Sequence, residues 1–254
     1  MKNQIQAFLV ALQFLTRLRF SCQANIDVNF NHCVVYFPLV GFLLGLILAL
    51  GWQGLGLVVL APVRAALLLA LAVYLSGGLH LDGFIDSMDG LLSGREREQK
   101  LAIMKDSYVG AHGVTATIVL LLIKYSLLLS LTDGKVYIVD LSLQPLILLM
   151  PVLGRWAMLP AVTCYPYARK QGLGRLFGAG QGFRALVVAT VITALICWLV
   201  MGPSGLLLLL LTGLLVVAWS NWVKRLLGGL TGDTYGALAE ISEVFVLTVG
   251  LLLP

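Results

Sequence analysis

Charge is what this sequence has least of: Asp, Glu, Lys and Arg together make up 11% of its 254 residues, against about a quarter in a soluble globular domain. That shortage, with 59% of residues hydrophobic, excludes an ordinary water-soluble domain and marks an integral membrane protein. Cysteine is scarce too. Cys22, Cys33, Cys164 and Cys197 stand apart with no C-x-x-C pair, which argues against a zinc site and against a disulfide framework. No P-loop or dinucleotide fingerprint is present. The excess of base over acid, a formal +5, falls mostly in loops, so it is a topology signal and not a nucleic-acid footprint; no nucleic acid is expected as a partner. The N-terminus, Met1-Lys2-Asn3-Gln4-Ile5-Gln6, lacks the short apolar core and small-residue cleavage site of a removed signal peptide.

What is abundant is apolar sequence in runs near the ~20 residues a membrane span requires. They begin at Val34 (to about Gly51), Pro62 (Leu79), Val114 (Leu131), Pro145 (Cys164), Arg184 (Met201), Ser204 (Trp222) and Gly236 (Leu253). Residues 4–18 carry Ile5, Phe8, Leu9, Leu12, Phe14 and Leu15 among polar positions and lead into Arg17 and Arg19, the pattern of an amphipathic helix lying at the membrane surface. The expected fold is therefore all-α: a polytopic bundle of about seven transmembrane helices plus that interfacial helix, one membrane-embedded domain over 1–254. Gly41 and Gly45 form a small-x-x-x-small pair that lets another helix approach closely. Lys2, Arg17, Arg19, Arg95, Arg97, Lys100, Lys105, Arg169, Lys170, Arg175, Arg184, Lys224 and Arg225 fall on one side of such a bundle, and only Arg64 and Lys135 on the other. By the positive-inside rule the N-terminus and the loop after the second span face the cytoplasm.

The densest chemistry lies in His80-Leu81-Asp82-Gly83-Phe84-Ile85-Asp86-Ser87-Met88-Asp89-Gly90. At ~100° per helical residue, Asp82, Asp86 and Asp89 share one face. Three carboxylates together repel, and a hard divalent cation is an economical way to offset that cost; Mg²⁺ takes one or two carboxylates, waters and substrate phosphate oxygens. A solvated acidic helix start, with Asp82 as its cap, is the plainer alternative. A second acidic group, Asp233, Glu240 and Glu243, lies toward the same side of the bilayer, so the two groups can converge on a metal-bound diphosphate. Alternatively Asp233 caps a helix and Glu240 pairs with an intramembrane base such as Lys124 or Arg155. Arg155, a guanidinium inside a span, needs a buried anion, either a substrate phosphate or an ion-pair partner. The loop bases Arg95, Arg97, Lys105, Arg169, Lys170 and Arg175 are near enough to the acids to clamp phosphates, with a topology or lipid-headgroup role the plainer alternative for any one of them. His80 and His112 bracket the polar loop, as general bases or as structural histidines.

The run Leu81 to Leu91, then Gly94-Arg95-Glu96-Arg97 and Ile103-Met104-Lys105-Asp106-Ser107 with Gly110 and Gly113, closely resembles the cobalamin synthase family, the adenosylcobinamide-GDP ribazoletransferases. The likeness extends through Phe14-Leu15-Thr16-Arg17, Tyr36-Phe37-Pro38-Leu39-Val40-Gly41, Gly154-Arg155-Trp156, Tyr167-Ala168-Arg169 and Gly229 to Ala237, followed by Glu240. Ser93 stands where a further glycine is expected. The resemblance implies a Mg²⁺-dependent enzyme of the bacterial inner membrane that joins alpha-ribazole, or its 5'-phosphate, to adenosylcobinamide-GDP and releases GMP. Those two substrates and the lipid bilayer are the expected partners; a homo-oligomer, or association with other corrinoid-pathway proteins, stays open.

On this reading Asp82, Asp86, Asp89 and Asp233 are the metal ligands, and Lys105 and Arg155 offset charge on the phosphate oxygens. Asp89, or else Glu240, accepts the proton of the attacking hydroxyl. Two other classes share some of these features. A prenyl or CDP-alcohol transferase would use the same aspartates, but the D-x-x-D-G-x-x-A-R spacing of the latter is not met. An ion-coupled transporter would show internal repeats or broken helices, and no repeat is evident.

Overall fold

The computed structural model describes residues 2–18, 33–131, 136–138, 141–169 and 182–253. Nine helices and one short hairpin are present among them. Helix α1 (Lys2–Leu15) is amphipathic, as its sequence predicts. Its Ala7, Val10, Ala11 and Leu15 are buried, at helical spacing along one face. A single 3₁₀ turn, Val34–Tyr36, leads into α2 (Phe37–Leu55), which starts with Pro38 in its first turn, where the missing N–H costs no hydrogen bond. Then come α3 (Ala61–Ser76), α4 (Leu79–Leu92), α5 (Arg97–Ile103) and α6 (Ala111–Leu129). Strands β1 (Val136–Ile138) and β2 (Leu141–Leu143) pair antiparallel, Tyr137 opposite Ser142. Helices α7 (Pro145–Cys164), α8 (Gly182–Leu227) and α9 (Gly232–Gly250) complete the bundle.

The hub is α7. It is apolar on every side and nearly all of it is buried, including Pro151 and Leu153, because α2, α8 and α9 surround it. Against α2 the approach is backbone on backbone. A Cβ at Gly41 would stand 2.8 Å from the Cα of Val152, and one at Gly45 would stand 3.0 Å from the Cα of Leu148, so the Gly41/Gly45 stripe is a helix-crossing point, as expected from its spacing.

All seven apolar segments are helical, in α2, α3, α6, α7, the two halves of α8, and α9. By length and composition alone, however, four helices can cross a membrane, or five if the bent pair α3 and α4 counts as one span. The difference from seven has three physical sources. Helix α3 has 16 residues, short of a full span. Helix α9 is continuous over 19 residues, but Asp233, Glu240 and Glu243 interrupt its apolar sequence. Helix α8 runs for 46 residues with a break at Gly202, whose φ of 57° and ψ of −135° are not helical. A Cβ on Gly205 would collide with the carbonyl of Cys197, a group that would be about 12 Å away along a straight helix, so the chain doubles back there as two antiparallel segments.

Between α3 and α4 the axis turns by 91°. Gly77 (φ 66°) and Gly78 (φ 73°) make that turn in left-handed conformations open to glycine at little cost. Helix α4, 14 residues long, thus leaves the span axis and carries its aspartates across the ends of neighbouring helices. Replacing Gly45 with Val should overpack the α2–α7 crossing and cost about 1–3 kcal/mol. Gly54→Ala, where an added Cβ meets nothing within 4 Å, should be neutral or slightly stabilising. Thermal unfolding of the two variants in detergent checks this; equal midpoints would show that the crossing tolerates a side chain.

Candidate active site

Helix α4 places Asp82 in its first turn and Asp86 one turn later. Glycine decides where that helix crosses α9. A Cβ on Gly83 would lie 2.8 Å from the carbonyl oxygen of Asp233 and 3.1 Å from its Cα; a Cβ on Gly236 would lie 3.2 Å from the Cα of His80. Backbones this close bring Asp82 and Asp233, from distant parts of the chain, onto the wall of one cavity of about 290 Å³. Arg169, Tyr167 and Tyr235 line it as well, with Phe14, Phe37, Met158 and Val162.

Helix α9 starts on a capping box, in which Thr231 Oγ1 accepts from Thr234 N and Thr231 N donates to Thr234 Oγ1 at 2.8 Å. Asp233 follows in its first turn, where the helix dipole favours an anion. Arg169 Nη2 donates to Asp233 Oδ2 at 2.8 Å and to the carbonyl of Met104 at 3.3 Å. The segment bearing Arg169 is held by a parallel bridge: Leu230 N donates to the Pro166 carbonyl at 2.8 Å and Ala168 N to the Leu230 carbonyl at 2.7 Å. Arg97 clamps the same place, donating to the carbonyls of Leu227 and Ala168.

The electrostatics are one-sided. Burial first, and then the charges of Asp82, Asp233 and Asp89, push the half-buried Asp86 carboxyl up to about 6, with Arg169 acting the other way. One guanidinium facing Asp82, Asp86 and Asp233 leaves an excess of negative charge that a divalent cation would relieve. Among the described residues no three His, Cys, Asp or Glu side chains form a ready-made metal cage. A hard ion such as Mg²⁺ keeps waters and binds through one or two carboxylates and substrate phosphates; Asp82 and Asp233, on one cavity wall with Asp86 nearby, are the residues that would hold it.

Four residues with expected roles do not line this cavity. Asp89 shares the helix but is buried and turned elsewhere: its two oxygens accept from Gly110 N at 2.7 Å and Gly113 N at 2.8 Å. It caps the start of α6, where amides have no helical partner, so the structure does not bring its oxygens onto the cavity wall beside Asp82. Glu240, the other candidate base, accepts from Lys124 Nζ at 2.9 Å. Arg155 pairs with Glu243, which also pairs with Lys124, so the buried anion that Arg155 needs is supplied from within the protein. Lys105 is exposed and does not line the cavity; Arg169 is the base beside the acids. Its place in the Tyr167-Ala168-Arg169 motif set it apart from Lys170 and Arg175 but not from Arg95, Arg97 or Lys105, which also lie in motifs that carry the resemblance. Arg19, Lys135, Lys170 and Arg175 lie outside the described residues.

The buried quartet Lys124, Arg155, Glu240 and Glu243 joins α6, α7 and α9, two cations against two anions. A pairing of Glu240 with Lys124 or Arg155 was the alternative reading of its sequence, since charges inside a span must find partners.

A helical bundle in a membrane, with acids from two remote helices gathered over a half-apolar cavity, has the constitution of a membrane-embedded enzyme. Sequence comparison narrows the class. A profile of the family described as cobalamin-5-phosphate synthase matches residues 7–251. The chain is 43% identical over 259 residues to an adenosylcobinamide-GDP ribazoletransferase of Desulfitobacterium hafniense (strain Y51), covering 94% of this chain and 93% of the relative. Proteins of the same name from Desulforamulus reducens (41% over 248 residues, 96% and 95% covered) and Pseudomonas putida strain GB-1 (40% over 252 residues, 97% and 98% covered) are similar. The chain therefore belongs to the cobalamin-5-phosphate synthase family and is a transferase of cobalamin biosynthesis. No solved structure matches it.

The quartet offers a direct test. Lys124→Met strands Glu240 without its cation, and breaking a buried pair in this way costs about 3–5 kcal/mol. Lys124→Met with Glu240→Gln should recover most of that loss, as read from thermal unfolding in detergent. Additive effects of the two changes would mean that the groups are not coupled.

Proposed function

We propose that the chain transfers the adenosylcobinamide phosphate moiety from adenosylcobinamide-GDP to alpha-ribazole, or to its 5'-phosphate, releasing GMP, at the cytoplasmic face of a bacterial inner membrane. The observation that carries this reading is the meeting of Asp82 and Asp233, with Arg169 as their counter-charge, at a cavity that is otherwise mostly apolar, with Asp86 near enough to feel their charge. The names of the relatives supply the donor and the acceptor class.

Asp82, Asp86 and Asp233 would hold Mg²⁺. A divalent cation there supplies neutralisation of diphosphate charge and stabilises the departing GMP. Arg169, fixed at the carbonyl of Met104 as well as on Asp233, is positioned to offset charge on a non-bridging phosphate oxygen. A ribose hydroxyl oxygen bonds to the phosphorus that carries the corrinoid as the bond from that phosphorus to GMP breaks. The hydroxyl proton passes to a carboxylate of the Asp82, Asp86 and Asp233 group. Tyr167 and Tyr235 wall the cavity and limit water around the reacting atoms.

Sealed membrane vesicles of known orientation test both the reaction and its sidedness. Inside-out vesicles supplied with adenosylcobinamide-GDP, alpha-ribazole and Mg²⁺ should release GMP, and right-side-out vesicles should not. The Asp82→Asn, Asp86→Asn double variant should lose activity by about a hundredfold or more, whereas Lys105→Ala should stay within about twofold of the unaltered protein. Near-normal turnover in the double variant would refute the assignment of these acids.

A further inference from the structure

The cavity under Asp82 and Asp233 is chemically two-sided. Its acidic part is held together by the Arg169–Asp233 pair. Its apolar part is also contiguous. Phe14 stacks on Phe37 with ring centroids 6.2 Å apart and planes 17° from parallel, and Phe37, Met158 and Val162 border a second, smaller void together with Val34 and Leu159. Phe37 and Met158 are buried, at 3% and 4% exposure. Helix α1 thus supplies a wall of the site through Phe14. A volume of about 290 Å³ is close to the lower limit of small-molecule pockets, ~300 Å³, enough for a ligand of about 20 heavy atoms. A nucleoside is of that size. A corrin macrocycle is several times larger and does not fit.

Resting on the reaction proposed above, we propose that this cavity is the acceptor's site: the apolar part, walled by Phe14, Phe37, Met158 and Val162, takes the aromatic base of alpha-ribazole, and the acidic part takes its ribose. The corrinoid stays outside the cavity, and only its diphosphate reaches Asp82 and Asp233. The match is one of chemistry as well as size. A flat apolar ring with a hydroxylated end meets aromatic walls and a soft thioether at one part and carboxylates at the other. Met158 and Val162, both on α7, then set how large a base the enzyme accepts.

Two readouts on the full-length protein in nanodiscs test this. One is equilibrium binding of alpha-ribazole alone, followed by the fluorescence of its benzimidazole; the other is the rate of GMP release with each substrate varied in turn. Met158→Phe and the less buried Val162→Phe should each weaken nucleoside binding and raise its KM by about tenfold or more, leaving the KM for adenosylcobinamide-GDP within about twofold. Unchanged nucleoside binding and KM in both variants, or an equal rise in both KM values, would overturn the proposal. Nucleoside binding that is lost in the variants, in a protein that releases no GMP, would uphold the pocket and refute the reaction. GMP release with nucleoside KM untouched by either variant would uphold the reaction and refute the pocket.

Discussion

The close approach of α4 to α9 is the constraint on which the site depends. Gly83 lies on the backbone of Asp233 and Gly236 on that of His80, so a methyl group at Gly83 would displace a helix and one at Gly236 would need the backbone there to give by a few tenths of an ångström. Only at that separation do Asp82 and Asp233 face one cavity. The 91° turn at Gly77 and Gly78 serves the same end, since an α3 that ran straight on would carry Asp82 away from α9. Carboxylates brought together in this way repel, and Arg169 relieves part of that repulsion.

A second electrostatic arrangement lies further along α9. Glu240 and Glu243 are buried and answered by Lys124 and Arg155. The two sets of acids on one helix therefore have different roles. Asp233, near the helix start, has one cation and an open cavity beside it, whereas the quartet is neutral overall and enclosed. Replacing a member of the quartet loosens the bundle, because an unpaired charge there has no water to turn to. Loss of activity in such variants would then report on structure and not on phosphate binding.

Much of this was readable in the residues, for identifiable reasons. A run of apolar sequence forces helices in a membrane because backbone groups must pair internally, so the helical segments could be placed closely. The Gly41/Gly45 stripe follows from an equally general rule, and the need of Glu240 for an intramembrane base left Lys124 or Arg155 as its alternative partner. What was hidden depends on tertiary contact. The i, i+7 spacing puts Asp89 on the face of Asp82, yet Asp89 answers the amides of Gly110 and Gly113, and no local pattern announces that a helix start will arrive there. Arg169 and Lys105 are equivalent bases in a loop by sequence; the bridge between Tyr167 and Leu230 separates them. Where helices turn was hidden for a related reason, since the breaks at Gly77, Gly78 and Gly202 redirect helices whose apolar character continues unchanged.

The central claim is that Asp82 and Asp233, from opposite parts of the chain, form one diphosphate-dependent cation site. Mn²⁺ in place of Mg²⁺ tests it most directly, with bound and free ion distinguished by electron paramagnetic resonance in the presence and absence of GDP. The account predicts Mn²⁺ binding that strengthens with GDP and is lost to a similar degree in Asp82→Asn and Asp233→Asn, but kept in Asp89→Asn. Binding retained in Asp233→Asn, or lost only in Asp89→Asn, would contradict it.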